Sequence, residues 1–573
     1  MKLLTIFRRT GLWVREKLSF DKSESDHMGL LIKVAMTLLF VGFGLLTYRA
    51  YSEYQELIST FNGNSQDGAV AGMPSIVPVI GSAVGCFLAL VAVLVSLWIR
   101  EKDTGASRRQ KLIVLVLWIA AIASLVSWMP GDVIDTREAI SGKALAGETP
   151  SIPAYIGKLF LVGFLIISIP ILAMFFFRLS LMDQYVVKNF LSPFLFCMFA
   201  FVAIWVIFDF TDNGPAFTGL PVERVLSFYV VQVPFVVLFV MPIVLLLSSL
   251  FALSNMSKSN ELISMIGAGR SVLRILTPLL FLGLYCSGVC LAFKYEWAPN
   301  SVGYKEAMMV TAMQERDAKR TGVKKRRDIW SKRGWMYINE IDRRTWFVGK
   351  IPLELSDAMG DVVIWQLDEN DQPVTMWKAK RGRWQWDAKP SQWILSNVKI
   401  YQYRPDHVPL ISSVKRLEIK DWSETPWKVL SSSQNPEYLG IPGLSMYIQA
   451  NKKLDRISLA PFWTNWWYVF AEPMGCFVMV LVAAPLGIVY SRRGVMAGVT
   501  GAIVIFALMY IMRGTLLAMG QGSRIPPFIA AWGTNIAVAI VGIILLWFRA
   551  RNREVPTLKS LFQKMLPLKL RSS

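Results

Sequence analysis

Runs of roughly twenty apolar residues, long enough to cross a bilayer as helices, recur through most of the chain. Early runs cover about Gly29–Tyr48, Ser75–Ile99, Leu112–Met129 and Ile156–Phe177. Another three cover about Phe190–Phe208, Val225–Leu253 and Ile275–Phe293. After a long polar interruption, the last three cover about Tyr468–Tyr490, Val495–Met519 and Phe528–Phe548. The pattern predicts about ten spans, four plus six. Pro234 and Pro242 lie inside one run and predict kinks that neighbouring helices must accommodate.

The interruption, about residues 300–455, has a different pattern. It begins with a charged, helix-like piece, Arg316 to Arg333. Short β-branched and aromatic stretches follow: Trp335–Ile338, Trp346–Val348, Val362–Leu367, Val374–Ala379, Trp384–Trp386, Gln392–Leu395 and Val398–Tyr403. Turn-like residues such as Asp368–Pro373 and Arg381-Gly382-Arg383 separate them. Many short strands without intervening helices predict a sandwich, jelly roll or barrel.

Charge then orients the runs. Lys and Arg crowd alternate short loops: Arg100, Lys102, Arg108 and Arg109; Lys258, Arg270 and Arg274; Arg492 and Arg493; and the tail from Arg549 onward. The intervening loops are acidic or neutral, as with Asp132, Asp135, Glu138 and Glu148, or Asp209 and Asp212. The positive-inside rule puts both termini in the cytoplasm and the β-domain outside. The formal net charge of +21 therefore sets topology and does not signal nucleic-acid binding. Residues 1–28 predict a basic amphipathic segment on the inner leaflet and no cleavable signal.

The loop Ser254–Arg274 stands out. Ser259 is placed to cap a short helix, with Glu261 in the first turn and Gly267 and Gly269 closing it. Leu262, Met265 and Ile266 are spaced to share one face. A capped helix with an apolar face and one acid suits a groove on a soluble partner, and also suits a solvated loop.

Three cations stand at or within predicted spans. Arg513 lies inside a span, where a charge must face protein, water or a phosphate. It predicts a lipid-phosphate contact or a pair with an acid such as Asp209. Lys294 and Arg524 sit at the outer face, as head-group contacts or interface anchors. Other chemistry is thin. The five cysteines all fall in apolar runs, and the two histidines, His27 and His407, are far apart. No metal site, cofactor or nucleophilic triad is expected. There is no G-x-x-x-x-G-K-[ST], and Gly267-Ala268-Gly269-Arg270-Ser271 has neither its spacing nor its lysine.

The second block resembles the LptF/LptG (YjgP/YjgQ) permeases, membrane subunits of the ABC transporter that extracts lipopolysaccharide from the Gram-negative inner membrane. The resemblance is carried by Leu181-Met182-Asp183-Gln184-Tyr185, Val233-Pro234-Phe235, Asn260-Glu261-Leu262 before Gly267-Ala268-Gly269, Glu296-Trp297-Ala298-Pro299-Asn300, Pro485-Leu486-Gly487, Arg492-Arg493-Gly494 and Pro526-Pro527. It covers about residues 180–550 and leaves the first four spans outside. It implies five regions: an extra block (1–180), three permease spans with a coupling helix near 257–270 (181–299), a periplasmic jelly-roll-like domain (300–455), three further spans (456–550) and a basic tail (551–573).

The resemblance also implies a separate ABC ATPase dimer, touched through Glu261, Leu262, Met265, Ile266, Gly267 and Gly269. Its other implied partners are a second related permease subunit, a periplasmic β-domain bridge protein, and lipopolysaccharide or a similar glycolipid. Spans Phe190–Phe208 and Val495–Met519 would form the lateral gate. Glu472 stands where the family usually carries a basic residue, and Asp209 and Asp212 where lysine can occur. A non-transporting scaffold on the same fold is the alternative. A lipid-modifying enzyme would need an acid or histidine cluster that the sequence lacks.

Overall fold

The apolar runs become helices in a computed structural model. It describes residues 36–551 except 49, 53, 56–76, 99–105, 146–150, 218–221, 300, 304, 306–307, 310–329, 340–341, 353–357, 386–391, 405–406, 421, 432–434, 453–454 and 489–493. Among the described residues, eight helices are long and apolar enough to cross a membrane, and Pro78–Leu94 is a shorter apolar helix. The first expected run is described only from residue 36 and forms helix α1 over 36–48. The chain is thus a polytopic helical protein carrying a separate β-sheet.

It divides into two compact units. The first, Met1–Ala139 with Leu159–Ser180, contains α1, α2 (Val77–Trp98), most of α3 (Ala106–Leu145) and most of α4 (Ile152–Arg178). Met36, Ala92, Val93, Ile113, Val116 and Ala120 form its core. α3 runs beyond the expected Met129, through Pro130.

The second unit, Ile140–Lys158 with Leu181–Ser573, holds α5 (Leu181–Phe217), α6 (Val222–Lys258), α7 (Glu261–Gly267) and α8 (Val272–Ala292). A π-helical turn, Phe293–Trp297, extends α8. After the sheet come α9 (Pro426–Ser431), α10 (Ile441–Ala450), α11 (Arg456–Gly487), α12 (Gly494–Gln521) and α13 (Pro527–Ala550). α11 is the hub, packed on α6, α8, α12 and α13. Lipid offers no hydrophobic drive between helices, so close contact of small residues holds such bundles. A Cβ on Gly487 would meet Leu253 at 2.9 Å, and one on Gly283 would meet Val480 at 2.9 Å. Of the most apolar stretch of each helix, 72% is buried in α11 and 11% in α5 and α12.

The sheet has six antiparallel strands in sequence order: β1 (Trp330–Asn339), β2 (Arg344–Pro352), β3 (Met359–Leu367), β4 (Pro373–Gln385), β5 (Gln392–Arg404) and β6 (His407–Ile419). This is a meander, and the crossovers of the expected jelly roll are not formed among the described strands. The expected helical piece ending at Arg333 runs into β1, and its 316–329 part lies outside the described residues.

Two expected breaks are continuous strand. Arg381-Gly382-Arg383 lies within β4, where Gly382 lets Leu395 and Val362 approach to 3.2 and 3.4 Å of a would-be Cβ. Within β5 the buried positions step from Leu395 to Val398 because Asn397, at φ 53°, resets the alternation. Asp361, at φ 52°, does the same between Met359 and Val362. Trp346, Val348, Val362, Ile364, Trp393 and Leu395 thereby share one buried core.

Candidate functional site

The loop between α6 and α8 folds as a short, clamped helix. α7 has Asn260 as its N-cap, in the left-handed region at φ 61° and without a side-chain cap. The expected cap, Ser259, instead bonds back to Asn255 O at 3.0 Å, because it still belongs to the last turn of α6. Gly269, at φ +85°, ends α7: its N–H donates to Ile266 O at 2.9 Å and Arg270 N–H donates to Met265 O at 3.2 Å.

The apolar face points inward. Leu262 and Met265 are buried in the core with Met256, Val272 and Ile275, and Ile266 packs against it. The expectation that these side chains face a partner is therefore corrected. Burying them against α6 and α8 removes them from water, and Ile263 becomes the exposed apolar residue, beside Ser264 and Gly267. The first turn of α5 fastens this helix at both ends. Tyr185 Oη donates to Glu261 Oε2 at 2.8 Å, and Arg270 Nη1 pairs with Asp183 Oδ1 at 2.7 Å.

A second cluster lies where α8, α11 and α12 meet. Arg513 pairs with Glu472, and Lys294 reaches the same carboxylate at 2.7 Å. The alternative partner for Arg513, Asp209, binds Lys305 at 2.6 Å. The Arg513 guanidinium lies 4.8 Å from the Tyr468 ring centre and 5.5 Å from that of Tyr510. Lys294 Nζ lies 5.3 Å from the other contact on Tyr468. Cations over aromatic faces keep part of their stabilisation without water. The cluster is partly open, with side-chain exposures of 27% for Arg513, 16% for Lys294 and 12% for Glu472. Arg524 stands apart, exposed in the turn between α12 and α13, where its N–H donates to Met519 O at 2.9 Å.

Structure thus joins two predicted cations, Lys294 and Arg513, and leaves the third alone. Sequence reasoning noticed Glu472 but did not assign it to them. It missed Tyr468 and Tyr510 as ring partners. The available signal was three ionisable residues in three different spans, which must find one another.

The β-domain holds a further buried pair. Arg344 grips Glu424 with Nε to Oε1 at 2.7 Å and Nη2 to Oε2 at 2.9 Å, and Asn339 donates to Oε1 at 2.9 Å. Arg344 also bonds Asp342 at 2.7 Å. A hydrogen bond from Ser423, with the charge of Arg344, holds the Asp342 carboxyl below its usual 3.8. Trp393 Nε1 donates to the Glu424 carbonyl at 2.7 Å. Burial pushes the nearby Tyr337 hydroxyl up to about 12. The described residues contain no group of three potential metal ligands.

Comparison with known families matches residues 184–548 to the model of the lipopolysaccharide export system permease LptF/LptG. No curated protein matches the chain.

Proposed function

The chain belongs to the LptF/LptG family of lipopolysaccharide export permeases, and from that premise we propose that it is a permease subunit that lifts lipopolysaccharide or a related glycolipid out of the inner membrane. The observation that carries this reading is the extent of the match, which takes in both helical blocks and the whole inserted sheet. A dimeric ABC ATPase in the cytoplasm drives it, a second related permease completes the lateral gate, and the β-domain hands lipid to a periplasmic bridge protein. The absence of a P-loop from the sequence supports assigning ATP hydrolysis to the partner.

In this reading α7 is the coupling element. Its clamps to Asp183 and Tyr185 make α5, α6 and α8 answer together to a push on one short helix. Contact with the ATPase runs through Glu261 and the exposed Ile263, while Leu262 and Met265 transmit the motion inward. α5 and α12, the two least buried spans, are the gate helices.

Affinity purification of the tagged chain from its native membrane tests the proposal. Wild type is expected to recover an ABC ATPase, a second permease and glycolipid. Glu261→Lys and Ile263→Asp should each lose the ATPase, and Ile263→Asp does so without touching the helix's own clamps. An intact wild-type chain that recovers no ATPase returns the scaffold reading.

A further inference from the structure

Two cations share one carboxylate in the α8–α11–α12 cluster, so it carries one surplus positive charge. The acid comes from the hub helix, and one cation comes from α12, a span with little packing inside the chain. Beside them is a cleft lined by Phe239, Pro242, Phe506 and Met509, with Glu472 and Arg513 at its polar end. Its volume is about 30 Å³. That admits a water or two and no phosphate group, since one water alone needs on the order of 10–15 Å³. An anionic head group can reach both cations only by displacing Glu472.

We propose that Glu472 is an internal competitor that tunes this site for lipids bearing a phosphate monoester and against ordinary phosphodiester phospholipids. A phosphodiester carries a single negative charge, the same as the carboxylate it must displace, and gains nothing in exchange. A phosphate monoester carries about −1.5 to −2 at neutral pH and satisfies both cations. Discrimination then arises from a repulsive element as much as an attractive one. The Glu472 carboxylate repels every anion, and only the more highly charged ligand overcomes it. Bulk lipid outnumbers any exported glycolipid, so a filter of this kind is what a lateral gate needs. The inference rests on the export reading and adds the chemistry by which cargo is chosen.

The test uses the purified full chain in nanodiscs, without ATPase, and native mass spectrometry. Two probe lipids share their acyl chains: dioleoyl phosphatidic acid, a monoester, and dioleoyl phosphatidylglycerol, a diester. Wild type should retain the monoester over the diester by about tenfold. Glu472→Gln should gain diester binding, so that the ratio falls toward one, and Glu472→Asp should restore it. Lys294→Gln leaves a balanced Arg513–Glu472 pair and should lose monoester preference. Inorganic phosphate at millimolar concentration should not displace the monoester lipid, and its displacement would reassign the site to a soluble phosphate. Equal ratios in wild type and Glu472→Gln, or an unchanged ratio in Lys294→Gln, overturn the proposal. The second variant decides the matter if the first fails to fold. Neither outcome depends on ATPase recovery, so the filter and the export reading fail separately.

Discussion

The molecule contains two glutamate–arginine pairs beside aromatic rings, and they differ in charge balance. In the β-domain, Glu424 is fully buried, gripped twice by Arg344, and Arg344 lies 5.0 Å from the Trp422 ring centre. A second carboxylate, Asp342, leaves that network without surplus positive charge. In the membrane block, Glu472 is divided between Arg513 and Lys294, all three are partly exposed, and the cations outnumber the acid. The same residue types therefore close a structure in one place and leave a ligand-seeking charge in the other. Counting partners separates the two, whereas residue identity does not.

The comparison is sharpened first at Glu424. Glu424→Ala leaves Arg344 buried without its main partner and should cost about 3–5 kcal/mol of local stability. Faster hydrogen exchange in peptides from β1 and β2 of the full chain is the readout. Trp393→Phe removes one buried donor to the Glu424 carbonyl and should cost about 1–3 kcal/mol by the same measurement. Asp342→Asn should cost about 1 kcal/mol at neutral pH. Its folded-state pKa is lowered, so its contribution is complete above the ordinary value of 3.8 and is lost as pH falls through the lower folded value. Wild type and variant should accordingly converge in stability at strongly acid pH. The smallest effect is expected from Ile511→Ala, on α12 near Arg513 but exposed to its surroundings. It should stay within about 0.5 kcal/mol and leave lipid selectivity unchanged. A larger loss would mean that α12 is packed as tightly as the hub.

The spans and the presence of a β-domain were legible because hydropathy acts over many residues at once. The coupling loop was legible as a short helix, since Gly269 ends it with a backbone few other residues adopt. Its facing was not, because Leu262 and Met265 suit a partner's groove and the chain's own core equally well. β6 escaped notice for a related reason. His407–Ile419 is exposed on both faces along most of its length, so no buried face imposes alternation on it. β4 and β5 read as broken because Gly382 resembles a turn and Asn397 shifts the period, although both lie in continuous strand. The charge cluster was beyond local reading, since Glu472 and Arg513 lie 41 residues apart and meet only through helix packing.

The meander has one more consequence. Its first and last strands each have one neighbour among the described strands, and their free edges differ. β1 offers Met336 and Ile338, while β6 offers Val408, Leu410 and Ile411 near Lys415 and Arg416. Unlike edges join head to tail, and head-to-tail joining does not close on itself. A row of such domains would have a direction, with each link accepting on one side and presenting on the other. Detached from its intended neighbour, a single domain holds both halves of that joint, and at high concentration it is expected to concatenate with copies of itself.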